Sequence, residues 1–167
     1  IKIEFYYANF QPDQAIDTAL KTLKELGILI YRRNGKSNTN QSINKSLNLI
    51  LQKRKIDDLE SLPVMTDPYK LKAIQILQQI MSSTATTDPL LHIKIILKQI
   101  DLFINHGNSP ESAATYSYYG MILCGSINNY NLGYEFGKLA LKLLDKYNIR
   151  QVQALIIQTH YGCIYHW

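Results

Sequence analysis

Residues 88–110 read DPLLHIKIILKQIDLFINHGNSP and contain one complete helix with both of its boundary signals. Asp88-Pro89 sets a side-chain acceptor before a proline at the first helical position, where the missing N–H breaks no helical bond. Gly107 stands where a C-terminal cap is expected, and Ser109-Pro110 then repeats the start signal. Between them Leu90, Leu91, Ile93, Ile95, Ile96, Leu97, Ile100, Leu102, Phe103 and Ile104 make the helix apolar on most faces. Such a helix has to be covered on several sides, as in the middle of a stack of helices.

The same punctuation extends in both directions. Asp67-Pro68 is a third start, so Asp67, Asp88 and Ser109 are N-cap candidates spaced twenty-one residues apart. A fourth start near Asn129 leads into Leu132, Phe136, Leu139, Leu143 and Leu144 at helical spacing. One helix and one turn per interval gives a pair of about forty-two residues, within the range of helical solenoids and longer than the tetratricopeptide period of about 34. The pattern predicts helices over 2–10, 12–26, 40–54, 67–82, 88–106, 110–126, 130–147 and 149–166. Gly27 marks another C-terminus, Tyr31 to Asn40 reads as an exposed loop, and no segment alternates as a strand does. Leu59 to Met65, with Pro63, reads as a bend between two helical stacks, placed at 56–66. The expected fold is all-α: a single tetratricopeptide-like α-solenoid of antiparallel helix pairs over residues 1–167.

With 46% hydrophobic and 19% charged residues, the composition suits a folded chain. A start on Ile1 and an end on Trp167, just behind an apolar helical pattern, point to a segment of a larger protein. Cys124 and Cys163 both fall in apolar helical stretches and read as reduced core residues, which fits a cytoplasmic location. The longest apolar stretch, Leu90 to Ile104, carries His92, Lys94, Lys98 and Asp101, so it does not suit a membrane span.

Tyr116, Tyr119 and Gly120 stand at the spacing of a tetratricopeptide first helix, and Gly133, Gly137 and Ala140 follow the four-then-three spacing of its second. Gly137 replaces the usual aromatic, and one extra residue separates the halves. The small-residue stripe of Gly133, Gly137 and Ala140 is expected to admit the helix that starts near Ser109.

From Leu47 onward the chain resembles the helical region of the large cyanobacterial-type multi-domain kinases. The resemblance is carried by LESLPVMTDP (Leu59 to Pro68), SAATYSYYGMILCG (Ser112 to Gly125), GYEFGKLALKLL (Gly133 to Leu144) and the closing His166-Trp167. The first forty residues match loosely, through Ala15, Ala19, Leu23, Leu26 and Gly27. Those proteins resemble serine/threonine kinases with an ATPase module, a sensor and often a histidine kinase. The resemblance implies tetratricopeptide-like repeats between the ATPase module and the sensor, acting in protein interaction and signal coupling.

No P-loop, Gly-rich loop before a helix or nucleophile elbow is present, so the segment is expected to be non-catalytic and to need no cofactor. His160, Cys163 and His166 are the best metal candidates, but three-residue steps turn the outer two about 120° apart on a helix, so one packed Cys and two surface histidines is the favoured reading. Asp57, Asp58 and Glu60 read as flanking a short helix. Arg32, Arg33 and Lys36, and then Lys53, Arg54 and Lys55, are basic clusters within a net charge of +5. They lack interleaved aromatics, which disfavours nucleic acid as the partner relative to a protein or peptide, flanking domains of the same chain included. Twelve tyrosines are the compositional oddity. Most should fill gaps between helices, and Tyr118 is the candidate for partner binding because its neighbours are assigned to packing. The competing readings are a self-contained peptide-binding or oligomerisation module and, behind it, a nucleic-acid-binding helical array.

Overall fold

A computed structural model describes residues 2–32, 39–52 and 54–166. Among them lie eight α-helices: α1 (Lys2–Ala8), α2 (Pro12–Glu25), α3 (Thr39–Leu51), α4 (Pro68–Thr87), α5 (Pro89–His106), α6 (Ser112–Ile127), α7 (Tyr130–Tyr147) and α8 (Gln153–Thr159). A 3-10 turn (Ile56–Leu59) precedes α4, and α8 continues into a π-helix (His160–Ile164). The chain forms two compact units: residues 1–37 with 66–95, and residues 38–65 with 96–167, the division falling inside α5. Arg33, Lys36, Lys53, Trp167 and most of the loop read from Tyr31 to Asn40 lie outside the described residues.

In the first unit, α1 pairs with α2, and α2 packs on α4. The buried stripe of α2 is Ala15, Ile16, Ala19 and Leu23, at the spacing of one helix face. Its end is a Schellman cap: Gly27, at φ 76°, donates its N–H to Lys24 O, and Ile28 donates to Leu23 O. The same pair of bonds closes α1 two residues earlier than expected, with Phe10 at φ 56° in the position that usually takes glycine. Helix α4 runs to Thr87 and not to 82. Along its polar end the hydroxyls bond back to carbonyls one turn earlier, Thr84 to Ile80 O and Thr87 to Ser83 O.

Asp67 and Asp88 are the caps their spacing indicates. The Asp67 carboxylate accepts the Tyr69 and Lys70 N–H groups, and that of Asp88 accepts Leu91 N–H at 3.0 Å. Asp88 also belongs to an ion cluster, because Arg32 reaches it at 3.4 Å while holding Asp13 at 2.6 Å and Asp17 at 3.3 Å. Nearby, His92 is buried, and its ring Nδ1 lies 3.1 Å from Met81 O and 3.3 Å from the Thr84 hydroxyl.

In the second unit, residues 54–65 form a strap. Asp58 accepts Lys55 N–H and closes the 3-10 turn, while Asp57 and Glu60 pair with Lys142 of α7; Asp57 and Asp58 thus lie within the short helix and Glu60 follows it. Asn108 is fully buried and ties the strap down: its side-chain amide donates to Leu59 O at 2.6 Å, its N–H donates to Pro63 O, and its carbonyl accepts Met65 N–H. An isolated parallel bridge, Val64 with Asn108, results. Gly107, at φ 98°, is required beside it, because a Cβ there would collide with Pro63 O. The segment read as a bend is thus packed into this unit, with Ile56, Leu59, Leu62 and Met65 buried.

Ser109 departs from its expected role. Its hydroxyl donates to the Glu111 carboxylate and not toward helix N–H groups, and its carbonyl accepts both the N–H and the hydroxyl of Ser112. Pro110 and Glu111 form a turn, and α6 begins at Ser112. Asn129 does cap α7, accepting Leu132 N–H. Asn148, left-handed at φ 48°, ends α7, so α8 starts at Gln153 instead of 149.

Substitution at the two aspartates separates capping from ion pairing. Asp67→Ala and Asp88→Ala should each lower unfolding free energy by about 0.5–2 kcal/mol in denaturant melts. Asp67→Asn should be nearly neutral. Asp88→Asn should keep the cap but lose up to about 1 kcal/mol with Arg32, a loss that shrinks at high salt. Equal, salt-independent effects of asparagine at both positions would contradict the described geometry.

Candidate functional site

The tightest packing in the second unit is the seam between antiparallel helices α6 and α7. Helix α6 contains no Asp, Glu, Lys or Arg, and buries residues on every side. It needs partners all round, and α7 supplies one wall with Gly133, Phe136, Gly137, Leu139, Ala140, Leu143 and Leu144. A Cβ at Gly120 would lie 2.7 Å from Gly133 O and 3.3 Å from Gly137 N. One at Gly133 would overlap the Cys124 sulfur and sit 2.8 Å from Gly120 O. Backbone therefore meets backbone, and the aromatic residues lie beside the crossing. Phe136 stacks on Tyr116 at 5.9 Å and takes the edge of Tyr119 at 4.9 Å; Phe103 reaches Tyr116 at 6.0 Å. Burial pushes the Tyr119 phenol up to about 12 and that of Tyr116 higher still, so both stay neutral fillers at ordinary pH.

Gly137 turns out to serve a third helix. A Cβ there would stand 2.5 Å from His160 Nδ1 and 3.3 Å from Ile164 Cδ1, both on the π-helix. Ile164 also lies 3.1 Å from the Cβ position of Gly120. The segment Gln153–Ile164 thus seats its buried face, Ile156, Thr159, His160 and Ile164, on the α6–α7 pair.

The sequence reading of this end is corrected in two places. His160, expected on the surface, is 3% exposed, while Cys163, expected in the core, is only partly buried. Neither Cys163 nor the buried Cys124 is in a disulfide. The cause is spacing: His160 stands four residues after Ile156 and four before Ile164, on the same buried helix face, while Cys163 lies at the edge of that face. No group of three His, Cys, Asp or Glu able to hold a metal occurs among the described residues.

Tyr118 is half-buried on α6, and burial raises its phenol. The well-exposed tyrosines lie elsewhere. Tyr161 and Tyr165, 57% and 59% exposed, neighbour one another at 5.7 Å on the outer side of the terminal segment, which also exposes Leu155 and Ile157. Arg32 is committed to its three carboxylates. Between α3 and α5 a cleft of about 330 Å³ has an aliphatic floor of Leu49, Leu97, Ile100 and Ile104, with Lys45 and Asp101 at its rim.

No protein-family model, curated protein or solved structure matches the chain. No helix among the described residues is long and apolar enough to cross a membrane.

The glycines give a test with opposite signs at different positions. Gly125, also in α6, has open space where a Cβ would go, so Gly125→Ala should gain about 1 kcal/mol of helix propensity. Gly133→Ala should lose stability instead, and Gly133→Leu or Gly137→Leu should cost about 1–3 kcal/mol or more through overpacking. Stabilisation by alanine at both 125 and 133, in urea melts, would refute the seam.

Proposed function

We propose that this chain is a non-catalytic helical-repeat module, a tetratricopeptide-like α-solenoid segment that binds protein and couples neighbouring domains in a multi-domain signalling kinase. The observation that carries this reading is the third helical layer: α8 and its π-helix lie on both α6 and α7, as each helix of a solenoid lies on the two before it. A stack built this way transmits displacement, because its layers meet through backbone and close-packed rings. The same layer leaves Tyr161, Tyr165, Leu155 and Ile157 outward, and tyrosine gives broad contact area at low entropic cost. Partner binding is assigned to this face in preference to Tyr118, which is half-buried.

A second reading, a self-contained peptide-binding module, is favoured by the aliphatic cleft between α3 and α5. Nucleic acid ranks below both, since the described guanidinium of the basic loop, Arg32, is already neutralised by aspartates.

Photo-crosslinking residues placed singly at Tyr161, Tyr165, Leu49 and the exposed control Tyr69 separate the readings in cells. Coupling predicts adducts from 161 and 165 to a kinase, ATPase or sensor domain. Adducts from 49 alone would move the function to the cleft, and yields no higher than at 69 would end the interaction reading. The purified chain should also neither hydrolyse ATP nor transfer phosphoryl groups; turnover abolished by a point substitution within it would overturn the non-catalytic assignment.

A further inference from the structure

His160 is a buried titratable group whose surroundings suit only one of its charge states. Its Nδ1 has no hydrogen-bond partner and faces Gly137, where a Cβ would come within 2.5 Å. A neutral imidazole tolerates this, because the unprotonated nitrogen is only an acceptor left unused. An imidazolium does not, since both ring nitrogens must then donate. Among the described residues, the elements packed around it offer no free counter-charge. On α6 the titratable groups are Tyr116, Tyr118, Tyr119 and Cys124, and the helix has no carboxylate or cation. On α7, Tyr134 lies 5.7 Å away ring to ring, Lys138 stands over the same ring at 5.1 Å, and Glu135 is held by Lys138 at 2.7 Å. On its own segment are Tyr161, Tyr165 and Cys163.

We propose that His160 is a pH-operated latch whose protonation lifts the segment Gln153–Ile164 off the α6–α7 pair while the pair itself stays folded. The ring can reach water only by leaving the glycine surface, and Ile164 sits on that same surface. The strip between them is a π-turn, a rare conformation that is frequent at functional sites. Burial holds His160 below the ordinary imidazole range. The sign follows: above about pH 6.5 the neutral ring keeps the latch shut, and as pH falls below that value the released state takes up a proton that the seated one resists. This inference is independent of the identity of any partner.

Hydrogen exchange read by mass spectrometry on the whole chain, corrected for intrinsic rates, tests it at about pH 7.5 and about pH 5.5. Protection across residues 156–164 should fall at the lower pH, by up to about tenfold for one proton, while Leu139–Leu144 keeps its protection. In His160→Phe, which keeps a ring without the titration, the fall should vanish. His92 titrates in the other unit, so its effect would register in α4 and α5 peptides instead. Unchanged protection in the wild type, an equal fall in the phenylalanine variant, or simultaneous loss across α6 and α7 would each overturn the latch. Should that variant fail to fold, His160 can be titrated in the wild type by NMR. Its midpoint must coincide with the segment's release, and titration with the segment still protected would equally overturn the proposal.

Discussion

Everything in the second unit depends on how closely two backbones approach at Gly120 and Gly133. Each glycine lacks the atom that would strike the carbonyl of the other, and this allows α6 and α7 to sit nearer than side chains permit. Glycine inside a helix forfeits about 1 kcal/mol of propensity, so the close approach has to return more than that through contact. It does so by bringing Phe136 against Tyr116 and Tyr119, and by leaving a shallow surface at Gly137 that receives His160 and Ile164. The terminal segment is therefore seated by an absence of side chains.

Local chemistry was legible in the sequence wherever the partner was also local. The Asp67 and Asp88 caps, the Asn129 start and the Gly27 end are satisfied within a few residues, and pattern alone locates them. Ser109 followed the same pattern and failed. Glu111, two residues on, offers its hydroxyl a charged acceptor, and Ser112 takes its carbonyl. What the sequence hid was long-range. Nothing near Arg32 announces Asp13, Asp17 and Asp88 together, and nothing near Asn108 announces Leu59 O. His160 was misplaced because a polar ring reads as surface, although it stands four residues from both Ile156 and Ile164 on the face that is buried. The small-residue stripe was readable, but its second glycine faces a different helix from the one expected.

The exposed tyrosines follow from the same geometry. Rings on α6 are drawn inward by a helix without charge, while Tyr161 and Tyr165 lie on the outer side of the terminal segment. Tyr118 is thereby half-covered while Tyr161 and Tyr165 stand out.

The strap at 54–65 has a consequence for the order in which the chain can assemble. Its anchors, Asn108, Lys142 and Lys146, come late: Lys142 meets Asp57 at a sequence separation of 85, and Lys146 meets Glu60 O at a separation of 86. Meanwhile the first unit needs residues 66–95, which emerge after the strap has been made. The two units are thus interleaved in sequence, and a ribosome delivers the strap well before any surface exists to receive it. During synthesis the first unit can close around an undocked excursion of the chain, and the second can condense only when α7 arrives. Long-range contacts of this kind close against more chain entropy than local ones, so residues 54–65 can be fixed only after α7 has been made.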